Sequence, residues 1–144
     1  MPNTHLMIVE PRDASLILTG QKLVEARLGR DRLPQAGRVS PGDAVFIMPR
    51  AQRTIAKAIV ERVDEYRGLE TDDIERLREI YNDRVLGDEA FWTSQHDAGY
   101  AMFITLGRVR MIHDDSIVPE ALRTPGRDTW RMLTVRSELL RRAA

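Results

Sequence analysis

The chain has 144 residues, of which 42% are hydrophobic and 31% charged, and it contains no cysteine. This composition is typical of one globular domain over residues 1–144, and it excludes a disordered chain, a disulfide scaffold and thiolate chemistry. The formal net charge is zero, but residues 1–63 carry +4, residues 64–89 carry −6 and residues 104–144 carry +3. A basic surface for nucleic acid is therefore compatible with the sequence.

The amino-terminal part of the chain predicts a strand followed by a short helix. Residues 5–9 form an apolar run that is typical of a strand. A helix is expected over residues 12–19, with Asp13 as its N-cap. Gly20 follows this helix, and glycine at that position closes a helix because it adopts the left-handed conformation at little steric cost.

The next predicted strand covers residues 22–28, where polar and apolar side chains alternate. Glu25 and Arg27 lie two positions apart, so their side chains are expected to point to the same side of the strand. Residues 29–41 contain glycine, proline and three arginines, which predicts an exposed loop. A Pro-Gly-Asp turn then leads into a buried strand over residues 44–48.

The remaining chain predicts strands and acidic helices in alternation. Residues 69–81 place apolar side chains on one helical face, with Thr71 as the expected N-cap. The other predicted elements are strands over 54–63, 100–112 and 130–135, and helices over 88–94 and 137–142. Short strands with inserted helices indicate an α+β domain, and we expect its strands to close into a small barrel.

Residues 18–27, Leu-Thr-Gly-Gln-Lys-Leu-Val-Glu-Ala-Arg, resemble the signature of ASCH domains. In that family a helix ends in Gly-x-Lys and the next strand carries Glu-x-Arg. The Pro-Gly-Asp turn at 41–43 and the strand at 101–109 are also similar to family features. The resemblance implies a small PUA-like β-barrel with flanking helices, a fold that recurs in RNA-modification proteins. It also implies a cleft between barrel and helices that accepts RNA or a modified base.

The resemblance places Lys22, Glu25 and Arg27 in this cleft. Lys22 is one of only two lysines among 22 basic residues, and an amine differs from a guanidinium in being compact and able to lose its proton. It either contacts a phosphate or base carbonyl, or simply interacts with a helix C-terminus. Glu25 and Arg27 either form a structural pair, or bind a base amino group and a phosphate, respectively.

Other candidate ligand-binding residues lie in two segments. Arg50 belongs to a group of arginines that flank the expected cleft in sequence and are candidates for phosphate binding, the others being Arg30, Arg32, Arg38 and Arg53. Trp92, His96 and Tyr100 provide aromatic rings on which an unpaired base can stack. The alternative is that Phe91 and Trp92 pack in the core and His96 is merely exposed.

Two classes of function follow, and we expect first a binding module for RNA or a modified nucleoside. The alternative is a hydrolase, because some ASCH-type proteins deacetylate 4-acetylcytidine with a lysine, a threonine three residues later and a distant glutamate. Lys22 matches the lysine, but Glu25 stands where the threonine is expected, so the catalytic residues would be Lys22 and Glu25 with a different mechanism. A ribonuclease, also known among ASCH-type proteins, would combine Lys22 with Tyr100 or His96.

Cofactors and compartment can also be predicted. His5 and His113 lack metal-ligand spacing, so we expect neither a metal nor a cofactor. No apolar run approaches the roughly 20 residues of a membrane helix, and the amino terminus lacks the pattern of a signal peptide. We therefore expect a cytoplasmic protein without a membrane partner. The acidic helix over 70–84 leaves a protein-interaction role open.

Overall fold

The computed structural model describes residues 2–123 and 126–133 of the chain. Within these ranges it contains six strands and three α-helices. In chain order they are β1 (Thr4–Val9), α1 (Pro11–Leu18), β2 (Val24–Gly29), β3 (Ala44–Pro49), β4 (Ala56–Arg67), α2 (Thr71–Val85), α3 (Glu89–Ser94), β5 (Tyr100–Met111) and β6 (Trp130–Leu133), with 3-10 turns at Asp115–Ile117 and Glu120–Leu122 before β6. None of the described helices is long and apolar enough to cross a membrane.

The strands form one sheet in the order β2-β5-β4-β3-β1-β6. Only β1 and β3 are parallel, and every other neighbouring pair is antiparallel. The α+β class is therefore confirmed, but the expected closed barrel is wrong. The sheet stays open because β2 and β6 stand at opposite ends of the order and share no strand pairing.

The sheet is covered on both faces by apolar side chains. Helix α1 packs through Ile17 on one face, against side chains such as Met7 and Ile104. On the other face α2 and α3 cover β2 and β5, and the segment around Leu122 covers β1 and β3. The end strand β2 therefore lies between α1 on one side and α3 on the other.

Helix α1 begins one residue earlier than predicted. Pro11 is its first residue and Glu10 its N-cap, so the assignment of Asp13 as N-cap is wrong. A proline fits this first position because its missing N–H would have no partner in the helix. Asp13 instead lies in the first turn, and its Oδ1 is 3.7 Å from Lys22 Nζ. Gly20 has φ +81°, as expected for the residue that closes the helix.

Later elements differ from the prediction mainly at their ends. Strand β4 continues four residues past the predicted end because its polar end pairs with the beginning of β5. Helix α2 begins at Thr71 and its N-cap is Glu70, so the assignment of Thr71 as N-cap is wrong. The Glu70 amide donates to Asp73 Oδ2 at 2.9 Å. Helix α3 and β6 occupy predicted positions, while residues 134 and 135 of the last predicted strand and the predicted helix over 137–142 lie outside the described residues. The loop over 29–41 is partly buried, since Ala36 and Val39 pack in the core beside α1.

Candidate functional site

A cavity of about 520 Å³ opens in the gap between β2 and β1. Helix α1 contributes one side and α3 the other, so it lies where the open sheet leaves its end strand uncovered. Its charged lining residues are Glu10, Arg12, Asp13, Lys22, Glu25, Arg27, Arg50 and Asp88. Four of the seven predicted ligand-binding residues, Lys22, Glu25, Arg27 and Arg50, therefore meet in this cavity.

Lys22 lies at the inner end of the cavity with only 4% of its surface exposed. After α1 the chain turns back, and the Lys22 amide donates to Leu16 O at 2.9 Å, which directs the side chain towards α2. Its Nζ donates to Val85 O at 2.7 Å and lies 3.3 Å from Glu25 Oε1 and 3.7 Å from Asp13 Oδ1. The ammonium thus satisfies a carbonyl in the last turn of α2 and faces two carboxylates.

Glu25 is buried between two cations. Its Oε1 faces Lys22, while its Oε2 accepts from Arg27 Nε at 2.9 Å and lies 2.8 Å from Arg27 Nη2. Burial alone would raise the pKa of Glu25, but the charges of Arg27 and Lys22 outweigh it and hold the pKa below its usual range. Glu25 is therefore an ionised hydrogen-bond acceptor, and Oε1 is its less occupied oxygen.

Arg27 holds the two sides of the gap together. Besides its bonds to Glu25, its Nη2 donates to Ile8 O of β1 at 2.9 Å and its Nη1 donates to Thr129 O at 3.3 Å, just before β6. The guanidinium lies 5.5 Å from the centre of the Trp130 ring. One side chain thus replaces the strand pairing that the open sheet lacks, and most of its donors are already used.

Trp130, which contacts Arg27, is held by a chain of hydrogen bonds through two buried polar residues. Trp130 Nε1 donates to His5 Nδ1 at 3.1 Å, and His5 Nε2 lies 2.8 Å from Asp43 Oδ2. Because an indole nitrogen can only donate, His5 Nδ1 is the acceptor and Nε2 carries the proton. Burial lowers the pKa of His5, despite the opposing hydrogen bond and charge of Asp43.

The mouth of the cavity carries more weakly held charges. Arg50 pairs with Glu10 at 2.8 Å, and more than half of each side chain is exposed. Arg12 is also exposed, and it donates to Leu86 O at 3.1 Å. Exposed ion pairs are worth at most about 1 kcal/mol, so an incoming anion can displace them at little cost.

Asp13 is the one cavity carboxylate that combines partial exposure with a raised pKa. Its side chain is 28% exposed and has Lys22 and Arg12 at 3.7 Å as its charged neighbours. Burial raises the pKa of Asp13, the charge of Lys22 opposes this rise and the charge of Glu25 adds to it. It is the cavity group best suited to exchange a proton.

The apolar wall of the cavity is provided by side chains that no sequence motif identified. Phe91 of α3 lines the cavity together with Ala90, and Gln95 adds an amide at the end of the helix. The Asp88 side chain accepts from the Phe91 amide at 2.8 Å and so begins this helix. Phe91 is therefore the aromatic side chain that lines the cavity, and it was not among the residues predicted to stack a base.

The structure does not bring Trp92, His96 or Tyr100 to the cavity. Trp92 is buried under α2, and its indole N–H donates to Asn82 Oδ1 at 2.9 Å. His96 is exposed at the opposite side of α3, where it borders a separate recess with Trp92. Tyr100 is buried on the α1 face and donates to Glu65 Oε2 at 2.6 Å.

The arginines that flank the cleft in sequence also separate in space. Arg50 lines the cavity, whereas Arg30 pairs with Asp97 at 2.6 Å outside it, and Arg32 donates to Ala36 O at 3.2 Å within its own loop. Within the described part of the chain, no group of three or more acidic or histidine side chains is arranged to hold a metal ion.

No protein-family model and no curated protein sequence matches the chain. Crystal structures of the ASCH protein from Zymomonas mobilis superpose on it with a TM-score of 0.65 at 18% sequence identity. The match covers 97% of this chain and 94% of the unaltered Zymomonas chain. A single-residue mutant of the same protein matches with the same score and 96% coverage of its chain. The chain therefore has the ASCH-like fold that its Gly-x-Lys and Glu-x-Arg motifs predicted.

Proposed function

We propose that the cavity binds one nucleotide of an RNA or a free, modified nucleoside. The observation that carries this proposal is the pair formed by Lys22 Nζ and Glu25 Oε1, a donor and an ionised acceptor 3.3 Å apart at the inner end of the cavity. Base edges present donors and acceptors side by side in the same way, and a carboxylate is suited to accept from an exocyclic amino group. Lys22 would then donate to the neighbouring ring nitrogen or carbonyl.

The walls of the cavity support the same assignment. A volume of about 520 Å³ lies within the usual range of small-molecule sites. Phe91 offers a ring on which a base can stack, which is worth roughly 1 to 3 kcal/mol. Arg12 and Arg50 stand at the mouth, where a phosphate can reach them without entering the buried ion pairs.

The test is a binding titration with nucleosides and their 5′-monophosphates at low salt. Cytidine and adenosine should bind more tightly than uridine, because only the first two carry an exocyclic amino group for Glu25. Phe91→Ala should weaken binding by roughly five- to 150-fold, the equivalent of the stacking energy. His96→Ala serves as the control, since His96 borders a different recess and should leave affinity unchanged.

Glu25→Gln provides the sharper comparison because it keeps the shape of the side chain. Its amide group can still accept through oxygen, but it has lost the charge that strengthens a bond to an amino group. Cytidine affinity should fall while uridine affinity changes little. If neither nucleosides, nucleotides nor single-stranded RNA bind to the unaltered protein at low salt, the proposal fails.

A second candidate is a hydrolase, and the position of Asp13 favours it. A partly exposed carboxyl with a raised pKa, 3.7 Å from an ammonium, resembles an acid–base pair. Glu25 is less suited to activate water because Arg27 and Lys22 stabilise its charged form. Turnover of an acylated cytidine or of single-stranded RNA that disappears in both Asp13→Asn and Lys22→Ala would establish this activity, and an inert unaltered protein would exclude it for those substrates.

A further inference from the structure

A second recess, of about 350 Å³, lies at the beginning of β4 and the end of β5, away from the cavity. We call it the β4–β5 recess. It is lined by Lys57, Arg110, Met111, Ile112, His113, Asp114 and Ile117. It shares no lining residue with the cavity described above.

Two cations face each other across this recess. Lys57 of β4 and Arg110 of β5 are directly opposite partners in the antiparallel register. Like charges at directly opposite positions destabilise a sheet. Lys57 is also one of only two lysines in the chain. An anion bound between Lys57 and Arg110 would offset this repulsion, which explains why the pair is present.

Within the described residues, no carboxylate neutralises these cations. Nine arginines of the described chain have a carboxylate within 4 Å. Within residues 2–123 and 126–133, neither Lys57 nor Arg110 has such a partner. The one acidic residue of the recess, Asp114, accepts from the amide and hydroxyl of Ser116 at 2.9 and 2.7 Å. The recess therefore keeps a positive charge.

The recess also combines charge with apolar surface. Met111 is 55% and Ile117 is 52% exposed, which makes them two of the most exposed large apolar side chains of the described chain. The Lys57 ammonium lies 5.6 Å from the centre of the Phe46 ring, which orients it on the surface of the sheet. A strand of nucleic acid offers both phosphates and apolar base faces to such a surface.

The distance from the cavity fits a short stretch of single-stranded RNA. Lys57 is the register partner of Phe46 on β3, and Arg50 at the cavity mouth follows Phe46 by four residues. From Phe46 to Pro49, the last residue of β3, is three residues or about 10 Å at about 3.3 Å per residue, and Arg50 begins the following turn. Stacked nucleotides advance about 3.4 Å each, so about three to four of them cover this stretch. Arg53 is an exposed cation in the loop between β3 and β4.

We propose that the β4–β5 recess binds backbone phosphates of a single-stranded RNA, one nucleotide of which occupies the cavity. This inference rests on the proposed function, and it extends the ligand from one nucleotide to an oligonucleotide. In this arrangement the RNA passes over the loop between β3 and β4. Lys57 and Arg110 contribute affinity without reading the bases, because phosphate contacts carry no sequence information.

The test compares cytidine 5′-monophosphate with oligocytidylates of four and eight nucleotides. The eight-nucleotide RNA should bind at least about tenfold more tightly than the monophosphate. In the double variant Lys57→Glu, Arg110→Glu this gain should disappear, while binding of the monophosphate stays unchanged. Each phosphate contact contributes about 0.7 to the salt dependence of a single strand, so losing two contacts should lower the slope by about 1.4. The control is Arg76→Glu on α2, which makes the same charge reversal at one position outside both sites and should leave the gain unchanged.

The single variant Lys57→Glu separates binding from folding. It places a carboxylate directly opposite Arg110, and opposite charges at such positions stabilise a sheet. The thermal midpoint should therefore stay the same or rise, while affinity for the eight-nucleotide RNA falls. A loss of affinity that accompanies a loss of stability would contradict the inference.

The remaining outcomes distinguish this inference from the proposed function. If the eight-nucleotide RNA binds no more tightly than the monophosphate, the recess is not an RNA site, although the cavity proposal stands. If the RNA binds only through the recess and the monophosphate does not bind, the cavity proposal is wrong. The inference that one RNA molecule occupies both the cavity and the recess is then wrong as well. If a polyglutamate peptide with the same number of negative charges as the RNA displaces it from the recess, the partner is an acidic protein and the inference is overturned.

Discussion

Arg27 makes a set of contacts that only a guanidinium can make. It reaches Glu25, the Ile8 carbonyl and the Thr129 carbonyl at once, and its flat face lies over Trp130. The sequence left open whether Glu25 and Arg27 form a structural pair or a site, and in the structure the two side chains are paired. Arg27 bridges the gap in the sheet, whereas Glu25 directs one oxygen towards the cavity through its contact with Lys22.

Arg27→Lys should therefore destabilise the protein although it keeps the charge. A single ammonium cannot bond to the carboxylate and both carbonyls together, so we expect the free energy of unfolding to fall by about 2 to 4 kcal/mol. Urea denaturation measures this change. The Ile8 amide, which donates to Thr129 O, should also exchange its hydrogen faster because the gap opens locally.

Arg30→Lys is the matched control for this substitution. Arg30 pairs with Asp97 at the surface, where 80% of the arginine side chain is exposed, so the change should cost less than about 1 kcal/mol. Equal effects of the two substitutions would show that Arg27 is an ordinary surface arginine and not a bridge.

At the scale of elements, the corner between α2 and α3 sets the apolar wall of the cavity. Asn82 fixes this corner, because its Oδ1 accepts from the Gly87 amide at 2.8 Å and from the Trp92 indole at 2.9 Å. Its Nδ2 donates to Gly87 O at 3.1 Å. Gly87 itself lines the cavity, and the ring of Phe91 packs directly against it.

Gly87→Ala should disturb this wall. The added Cβ would lie 2.7 Å from Phe91 Cδ2 and 2.8 Å from Trp92 Nε1, so both rings must move. Overpacking of this kind costs about 1 to 3 kcal/mol. We expect a lower thermal midpoint together with weaker nucleoside binding, measured by calorimetry. Thr93→Ala, on the exposed side of α3, should leave both quantities nearly unchanged, and a stable Gly87→Ala protein with full affinity would contradict this account.

The same corner explains why sequence identified the helices but not the cavity wall. Asp88 and the apolar residues after it predict a helix over 88–94, and α3 lies there. A helix of six residues is too short for its periodicity to show which of two adjacent aromatic rings faces the core. The sequence therefore left Trp92 as either a stacking ring or a core residue, whereas in the structure the bond to Asn82 keeps it buried and Phe91 lines the cavity. The position of Asp13 in the cavity was not predicted for a similar reason, because it depends on how α1 packs beside β2.

At the scale of the whole molecule, strands and helices were predictable, but the closure of the sheet was not. Alternation and turn residues indicate each strand from its own sequence, and the Gly-x-Lys and Glu-x-Arg motifs indicate the ASCH-like fold. Whether β2 pairs with β6 depends on the distance between chain segments that are about 100 residues apart. In this protein a side chain, Arg27, spans that distance instead of backbone hydrogen bonds.

The buried chain behind Arg27 connects the gap to the opposite end of β1. His5 contacts Trp130 of β6 on one side and Asp43, in the turn before β3, on the other. Asp43 also accepts from the amides of Asn3 and Ser40 at 2.9 Å each. The Pro-Gly-Asp turn of the sequence motif is thus linked through His5 and Trp130 to the residue that bridges the sheet.

This link predicts how stability depends on pH. The native protein holds His5 neutral because burial lowers its pKa below 6.5, whereas the unfolded chain takes up a proton near that value. Its contribution to stability is therefore complete above pH 6.5 and is lost as the pH falls from there towards the lower pKa of the folded state. One additional proton on the unfolded chain changes the free energy of unfolding by at most about 1.4 kcal/mol per pH unit. Urea denaturation between pH 8 and pH 5 measures the slope.

His5→Gln is the variant that isolates this contribution. Glutamine stays neutral and can donate to Asp43, so the variant should be less stable at pH 8 but should lose less stability towards pH 5. In the unaltered protein, nitrogen NMR of the imidazole at pH 7 should show a protonated Nε2 and an unprotonated Nδ1, and this measurement does not depend on the variant. A protonated Nδ1 at that pH would mean that Trp130 does not donate to His5, and that the hydrogen-bonded chain from Asp43 to Trp130 is absent.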